Sequence, residues 1–347
     1  MSDWQINVDP DVEERIMATA NHQEGDRVPV WDYLDNPPIY RHFRRDTDQD
    51  VQDTMARVYN ELGIDLCRGF ATPLSKEEQN EAQTRWAKRR ISTMEQLKEE
   101  LKEPEGSWDE IGQQMLGHYR SVRDKLAPRT MYVPGGGTGI TGLYAATSLQ
   151  RFCEWTHDCP DLIEAVLNRY ADDNARWAAL AARERLCPLF FIGEDIAYKA
   201  HLMFSPAWLR RYFIPMLRRC CEPLEKAGVK VIFHSDGNVM EILDDLIDAG
   251  IQGLNPIEPI AGMDIGYLKK RYGKRLILVG NVDCSQTLPL GTVADIREAV
   301  KACMRAASKG GGHFIGSSSE IVPATPLQNV LAFYEACHEF GRYPIRV

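Results

Sequence analysis

The tripeptide His234-Ser235-Asp236 carries residue types and a spacing that could do chemistry. It closes an apolar, β-branched run, and in an extended strand residues i and i+2 project to the same side. His234 and Asp236 can therefore face one site. An imidazole and a carboxylate so placed could bind a divalent metal, with Glu194, at the end of the preceding apolar run, as a third ligand. The alternative is an imidazole oriented by a carboxylate, with no metal. Cys284, next to Asp283, is a further soft-ligand candidate, although free cysteines usually serve packing.

Other apolar runs also end in polar residues: Asp32, Asp65, Asp195, Asn255 and Glu258, Asn281 and Asp283, and Ser317 to Ser319. A single acid at such a place is often a helix cap. Six run ends marked this way point to a shared polar site, because an unpartnered buried carboxylate is expensive. Trp31, Tyr33, Tyr144, Phe190, Phe191 and Tyr198 lie near the same ends and could line a pocket or simply pack. Gly135-Gly136-Gly137-Thr138-Gly139 lacks the Gly-Lys-Ser/Thr ending of a nucleotide loop. Glycines there let the backbone turn sharply or approach a ligand closely.

The elements that must position these residues are eight short runs: 28–33, 64–69, 130–135, 188–195, 229–236, 251–256, 276–283 and 312–317. They alternate with helical patterns, which predicts parallel pairing in an α/β fold, a single (β/α)8 TIM barrel over residues 1–347. Reactive groups in such a barrel gather at the carboxyl ends of the strands. Ser205-Pro206 signals a helix start, and Pro215 should kink that helix. Residues 71–129 read as an inserted helical segment or dimer element, with a short strand at 84–90 and helices near 94–102 and 108–125. A doubly wound two-domain enzyme is the alternative.

The 347 residues suit one large domain, and 44% are hydrophobic. Lys and Arg total 41 against 50 Asp and Glu, a net charge of -9, which argues against a nucleic-acid or membrane-surface partner. No apolar run reaches spanning length, and the first residues lack an apolar signal core. Nine scattered cysteines fit reduced thiols, so a cytoplasmic protein is expected.

Several short stretches together resemble the uroporphyrinogen decarboxylase superfamily. They are Asp26-Arg27-Val28-Pro29-Val30-Trp31, Gly193-Glu194-Asp195, Phe233-His234-Ser235-Asp236-Gly237, Gly253-Leu254-Asn255-Pro256, Gly280-Asn281-Val282-Asp283 and Gly311-Gly312-His313-Phe314-Ile315-Gly316. The superfamily includes the decarboxylase and methyltransferases that work with corrinoid proteins. The resemblance implies substrate-binding roles for Trp31, Asp32, Tyr33, Asn255, Asn281, Asp283 and Ser319. It further implies catalytic roles for Asp65 and Tyr144, matched to the decarboxylase's pyrrole-binding aspartate and active-site tyrosine.

Two departures separate the branches. The decarboxylase has an arginine-bearing stretch after its first strand, where this chain reads Trp31-Asp32-Tyr33-Leu34-Asp35. Thiol-activating methyltransferases have zinc-binding cysteines where this chain has Asp236 and Ser319. The resemblance thus implies a corrinoid-dependent methyltransferase using Zn2+, with a small methylated substrate, a methyl ether above all, and a cobalamin-carrying partner. A decarboxylase of a porphyrinogen or small acid, and a non-catalytic tetrapyrrole- or corrinoid-binding barrel, are the alternatives.

Overall fold

The computed structural model describes residues 3–48, 50–70, 91–103 and 106–347. The expected strand at 84–90 lies outside them. The strands, in chain order, are β1 (Leu66–Cys67), β2 (Met131–Tyr132), β3 (Gly135–Gly136), β4 (Leu189–Gly193), β5 (Ala197–Tyr198), β6 (His201–Leu202), β7 (Lys230–His234), β8 (Gly253–Asn255), β9 (Ile277–Val279) and β10 (His313–Phe314). Six of them form a parallel sheet in the order β10-β9-β8-β7-β4-β3, and β1 pairs in parallel with β2. β5 and β6 make a separate antiparallel ribbon. Pro134, which has no N–H to give, divides the run between β2 and β3: Met131 and Tyr132 pair with β1, whereas Gly135 and Gly136 pair with β4.

Residues 28–31 connect the two ends. Trp31 N–H donates to Ile315 O at 2.9 Å, and Leu66 N–H donates to Val30 O at 3.1 Å. Residues 28–31 are thus hydrogen-bonded to the chain beside β10 on one side and to β1 on the other, while β2 continues through Pro134 into β3.

The central parallel strands β4, β7, β8, β9 and β10 are largely buried on both faces, as parallel strands under helices should be. One face is a compact cluster that includes Trp31, Leu66, Met131, Val133, Leu189, Phe191, Ile232, Ile277, Val279 and Phe314. The helix Pro10–Ala20 adds Val12, Ile16 and Ala20 to it, covering that interior at the amino ends of the strands. The alternate residues, such as Val30, Cys67, Phe190, Ile192, Val231, Phe233 and Leu254, face the outer helices.

Those helices carry local start signals. Ser107 with Glu110, and Thr292 with Asp295, form reciprocal capping boxes at the helices Trp108–Leu126 and Val293–Ala307. The expected insertion is thereby corrected in part. Trp108–Leu126 buries Leu116, Tyr119, Val122 and Leu126, and Tyr119 donates to Leu186 O at 2.6 Å, so it is a wall helix packed on the sheet. Ser205 caps the next expected helix start by accepting from Trp208 N–H. The chain there widens into a π-turn at Leu209–Phe213, one residue ahead of Pro215, which absorbs the missing N–H.

Three predicted site carboxylates belong to this framework. Asp65 lies on the outer side of its strand, where it accepts from Arg15 at 2.8 Å, from Arg27 at 2.7 and 2.9 Å, and from Val30 N–H at 2.8 Å. It ties the capping helix to the first two strand segments and takes no part in the site, because parity turns it away from the interior. Asp32 also points outward. It accepts from Ser317 Oγ at 2.6 Å, Ser317 N–H at 3.2 Å and Tyr334 Oη at 3.0 Å, and full burial pushes its pKa up to about 6. Asp283 caps the following turn, accepting from Ser285, Gln286 and Thr287 N–H groups.

Asp65→Asn should cost about 3–5 kcal/mol, because it leaves the buried Arg15 and the half-buried Arg27 without their shared charge; urea unfolding measures it. A second expectation concerns acid. His313 is fully buried and neutral: its Nε2–H donates to Gly280 O at 2.7 Å, and Ser308 donates to Nδ1 at 2.7 Å. Burial lowers its pKa to about 4 from 6.5. The unfolded chain therefore takes up a proton at this residue that the folded chain refuses, so the His313 contribution to stability is lost as pH drops from 6.5 to 4, against an opposite contribution from Asp32. The loss amounts to about 3 kcal/mol. That contribution to the stability-versus-pH slope should be absent in His313→Asn.

Candidate active site

The inward rows of the strands run out into a polar opening at their carboxyl ends. Ile232 faces the interior, so His234, two residues on, does too. Gly193 lies beside His234 in the parallel register and Asn255 on the other side. Asn255 Oδ1 meets His234 Nδ1 at 2.6 Å, which fixes the proton on Nδ1 and leaves Nε2 with its lone pair.

Two carboxylates face that lone pair. Asp195 Oδ1 is 3.7 Å from Nε2 and Asp236 Oδ1 is 3.8 Å from it. Among the described residues, Asp195, His234 and Asp236 are the one group of this kind whose ligand atoms all lie within 4.8 Å of one another. The loops that carry the two acids are tied together. Asp236 N–H donates to Asp195 Oδ1 at 3.1 Å, and Tyr144 donates to Asp195 O at 3.0 Å. Gly237 has φ +79°, and a Cβ there would meet Ala197 C at 2.7 Å, so only glycine lets these loops approach so closely. Gly237 N–H in turn donates to Glu258 at 2.6 Å.

The donor set fits a divalent cation. Asp236 Oδ1 is buried without a hydrogen-bond partner, while nearby Ser319 favours the charged form of the same carboxylate. Burial, reinforced by nearby Arg68, lowers the His234 pKa and keeps the imidazole in its ligating, neutral form. Burial raises the Asp236 pKa, the response of a carboxylate short of positive charge. One neutral imidazole and two carboxylates suit zinc.

Glu194 does not join the group around His234; Asp195 stands there instead. The Glu194 carboxylate is enclosed by the glycine-rich loop, accepting from Thr138 N–H, from Thr138 Oγ1 at 2.9 Å, from Gly139 N–H at 2.6 Å and from Thr141 N–H at 2.8 Å. The loop opens the helix Ile140–Thr147, and its amide groups form an anion nest occupied by the chain's own side chain. A Cβ at Gly137 would lie 2.6 Å from Glu194 Oε1.

Cys284 is also outside the set. Its buried thiol contacts Ser318 O at 3.6 Å, and burial pushes its pKa up, away from the thiolate a metal would need. Asn281 donates to Ile257 O at 2.9 Å and supports the neighbouring loop. Trp31 belongs to the interior, its ring 6.3 Å from Phe191 and 5.9 Å from Phe314. Tyr33 and Tyr144 do reach the opening, and burial raises the Tyr144 pKa to about 12.

Arg68 was not anticipated. It lies two residues beyond the inward Leu66, so parity counted from Leu66 would have found it. Its guanidinium carbon lies 4.3 Å from the centre of the Tyr33 ring and 5.3 Å from that of Phe191.

The uroporphyrinogen decarboxylase (URO-D) family profile matches residues 84–340. The chain belongs to the uroporphyrinogen decarboxylase family. Within it, the methylcobamide:CoM methyltransferase MtaA of Methanosarcina barkeri is 29% identical over 228 residues, 65% of this chain and 63% of that protein. The aligned region thus spans less than two thirds of that relative. A uroporphyrinogen decarboxylase of Pseudomonas aeruginosa is 28% identical over 43% of this chain and 39% of its own. The solved structure of a methyltransferase from Methanosarcina mazei superposes with a TM-score of 0.68 at 21% identity, covering 95% of this chain and 98% of that one. That likeness establishes a shared fold. In this URO-D family member, both departures noted in the sequence, Asp236 and Ser319, meet at one carboxylate beside His234.

Elemental analysis after zinc loading should find one zinc per chain in wild type and none in His234→Ala or Asp236→Ala. Asn255→Ala should weaken zinc binding about 10–100-fold by freeing the imidazole. Glu194→Gln should retain zinc while lowering thermal stability. Zinc lost equally in Glu194→Gln and Asp236→Ala would refute the ligand assignment.

Proposed function

We propose that this protein is the methyltransferase component of a corrinoid-dependent system, moving a methyl group between a small methylated substrate and a partner corrinoid protein. We read the hydrogen-bonded circuit of strands as a closed (β/α)8 barrel forming one domain, with the triad at its mouth. The observation that carries the functional reading is the triad's chemistry, an imidazole and two carboxylates with one oxygen left unpartnered. Thiolates make zinc electron-rich and suit it to activating another thiol, whereas this harder set suits polarising an oxygen. A methyl ether is the favoured donor.

His234, Asp195 and Asp236 would hold zinc, which supplies Lewis acidity toward the ether oxygen when bound. Asn255 fixes the His234 tautomer, and Tyr144 anchors the backbone of Asp195. The donor would be held so that its methyl carbon faces the opening, within reach of the corrinoid partner, whose cobalt(I) would supply the nucleophile that takes up the methyl group as its bond to oxygen breaks. The electron pair stays on the oxygen beside the triad, which then takes a proton from water.

Porphyrinogen decarboxylation is less well supported. Asp65, the aspartate matched to pyrrole binding, is held by Arg15 and Arg27, and the same strand sends a cation, Arg68, to the mouth instead. Incubation with uroporphyrinogen should yield no coproporphyrinogen. Among the described residues no helix is long and apolar enough to cross a membrane, and the nine cysteines are free. A reducing cytoplasm is the compartment this suits.

Purified protein mixed with a reduced corrinoid protein and a panel of methyl ethers and methylamines should produce methyl-cobalt absorbance with an ether, and His234→Ala should abolish it. Silence with every donor would count against methyl transfer. Undiminished activity of the whole system in His234→Ala would favour a non-catalytic barrel.

A further inference from the structure

We infer that Arg68 anchors an anionic group, a carboxylate in the simplest case, on the molecule bound before His234. The inference rests on the mouth being the substrate site, as proposed above, and adds the substrate's class: a flat methylated donor that carries an acid.

The guanidinium lies against the Tyr33 ring at 4.3 Å and the Phe191 ring at 5.3 Å, and the Phe191 ring centre is 5.4 Å from that of the His234 imidazole. A cation, an aromatic face and the triad thus follow one another across the opening. The Arg68 side chain is 25% exposed, and among the described residues its charge partner is Glu320 at 3.8 Å, too long for a hydrogen bond. Burial also holds Glu320 toward its neutral form. The framework arginines differ sharply: Arg15 and Arg27 meet Asp65 at 2.7 to 2.9 Å.

A guanidinium lying against aromatic rings presents its edge donors sideways, the geometry in which a carboxylate accepts two parallel hydrogen bonds. Asp195 and Asp236 would neutralise the zinc held with His234, so that end carries no net charge while Arg68 remains a cation. An acid group is therefore directed to the Arg68 end, which leaves an uncharged methyl-bearing end for the triad. A single substituted aromatic ring, lying along Phe191, would join the two.

The test is calorimetric binding of 4-methoxybenzoate and 4-methoxybenzamide, with one equivalent of zinc, to wild type, Arg68→Gln and Arg68→Lys. Wild type should bind the acid about tenfold or more tighter than the amide, in keeping with a charged hydrogen-bonded pair. Arg68→Gln should remove that preference, and Arg68→Lys should keep part of it, a charge without the fork. Amide affinity should be the same in all three, which shows that the pocket is intact. Equal binding of acid and amide by wild type, no binding of either, or a preference that persists in Arg68→Gln would overturn the assignment. The readout needs no turnover. Acid preference without methyl-cobalt formation removes the methyl-transfer reading and leaves the anchor, while methyl transfer with no acid preference does the reverse.

Discussion

Side chains alternate across a strand, and a circuit of parallel strands buried on both faces leaves each side chain two destinations, the interior or the surrounding helices. Every assignment at this site depends on that parity. Leu66 faces inward, so Asp65 and Cys67 face the helices and Arg68 returns to the mouth. Trp31 faces inward, so Asp32 turns out toward Tyr334 while Tyr33 reaches the opening. Ile232 sets His234 in the same way. A slip of one residue in any of these strands would exchange a framework ion pair for a site residue.

Buried acids fall into two groups by how completely they are satisfied. Asp65 is met by two guanidinium groups and a backbone amide, Asp32 by two hydroxyls and two amides, and Glu194 by a nest of amides and a hydroxyl. Each closes on itself and needs nothing from outside. Asp236 retains a buried oxygen with no partner, directed toward a ring nitrogen whose proton is held on the other side. That incompleteness separates a binding group from a structural one, since an unmet buried acceptor is costly unless something supplies the missing partner.

The opening is electrically divided. Asp195, Asp236 and Glu258 gather around the imidazole, while Arg68 stands beyond the Phe191 ring with a loosely held acid beside it. A polarised mouth of this kind orients a small molecule with unlike ends, and orientation contributes heavily when the reacting nucleophile is itself strong.

Much of the fold was legible in the sequence. Apolar runs alternating with helical patterns mark the parallel strands, and Ser205-Pro206 marks a helix start, because both signals are local. His234 with Asp236 was legible too, since a spacing of two at a strand end needs no tertiary information. The wall helix Trp108–Leu126 read as an insertion because its burial depends on partners distant in the chain. Glu194 and Asp195 are adjacent, and no local rule says which carboxylate a distant glycine loop will enclose and which will turn to His234. Arg68 stayed hidden because an arginine after a strand reads as surface until Tyr33 and Phe191, from two other strands, close around it. The sequence by itself determined which residues could act and which strand ends carry them. Tertiary structure decided which of them find internal partners and which remain open to a ligand, because satisfaction of a buried polar group is set by neighbours that only the folded chain brings within 3 Å.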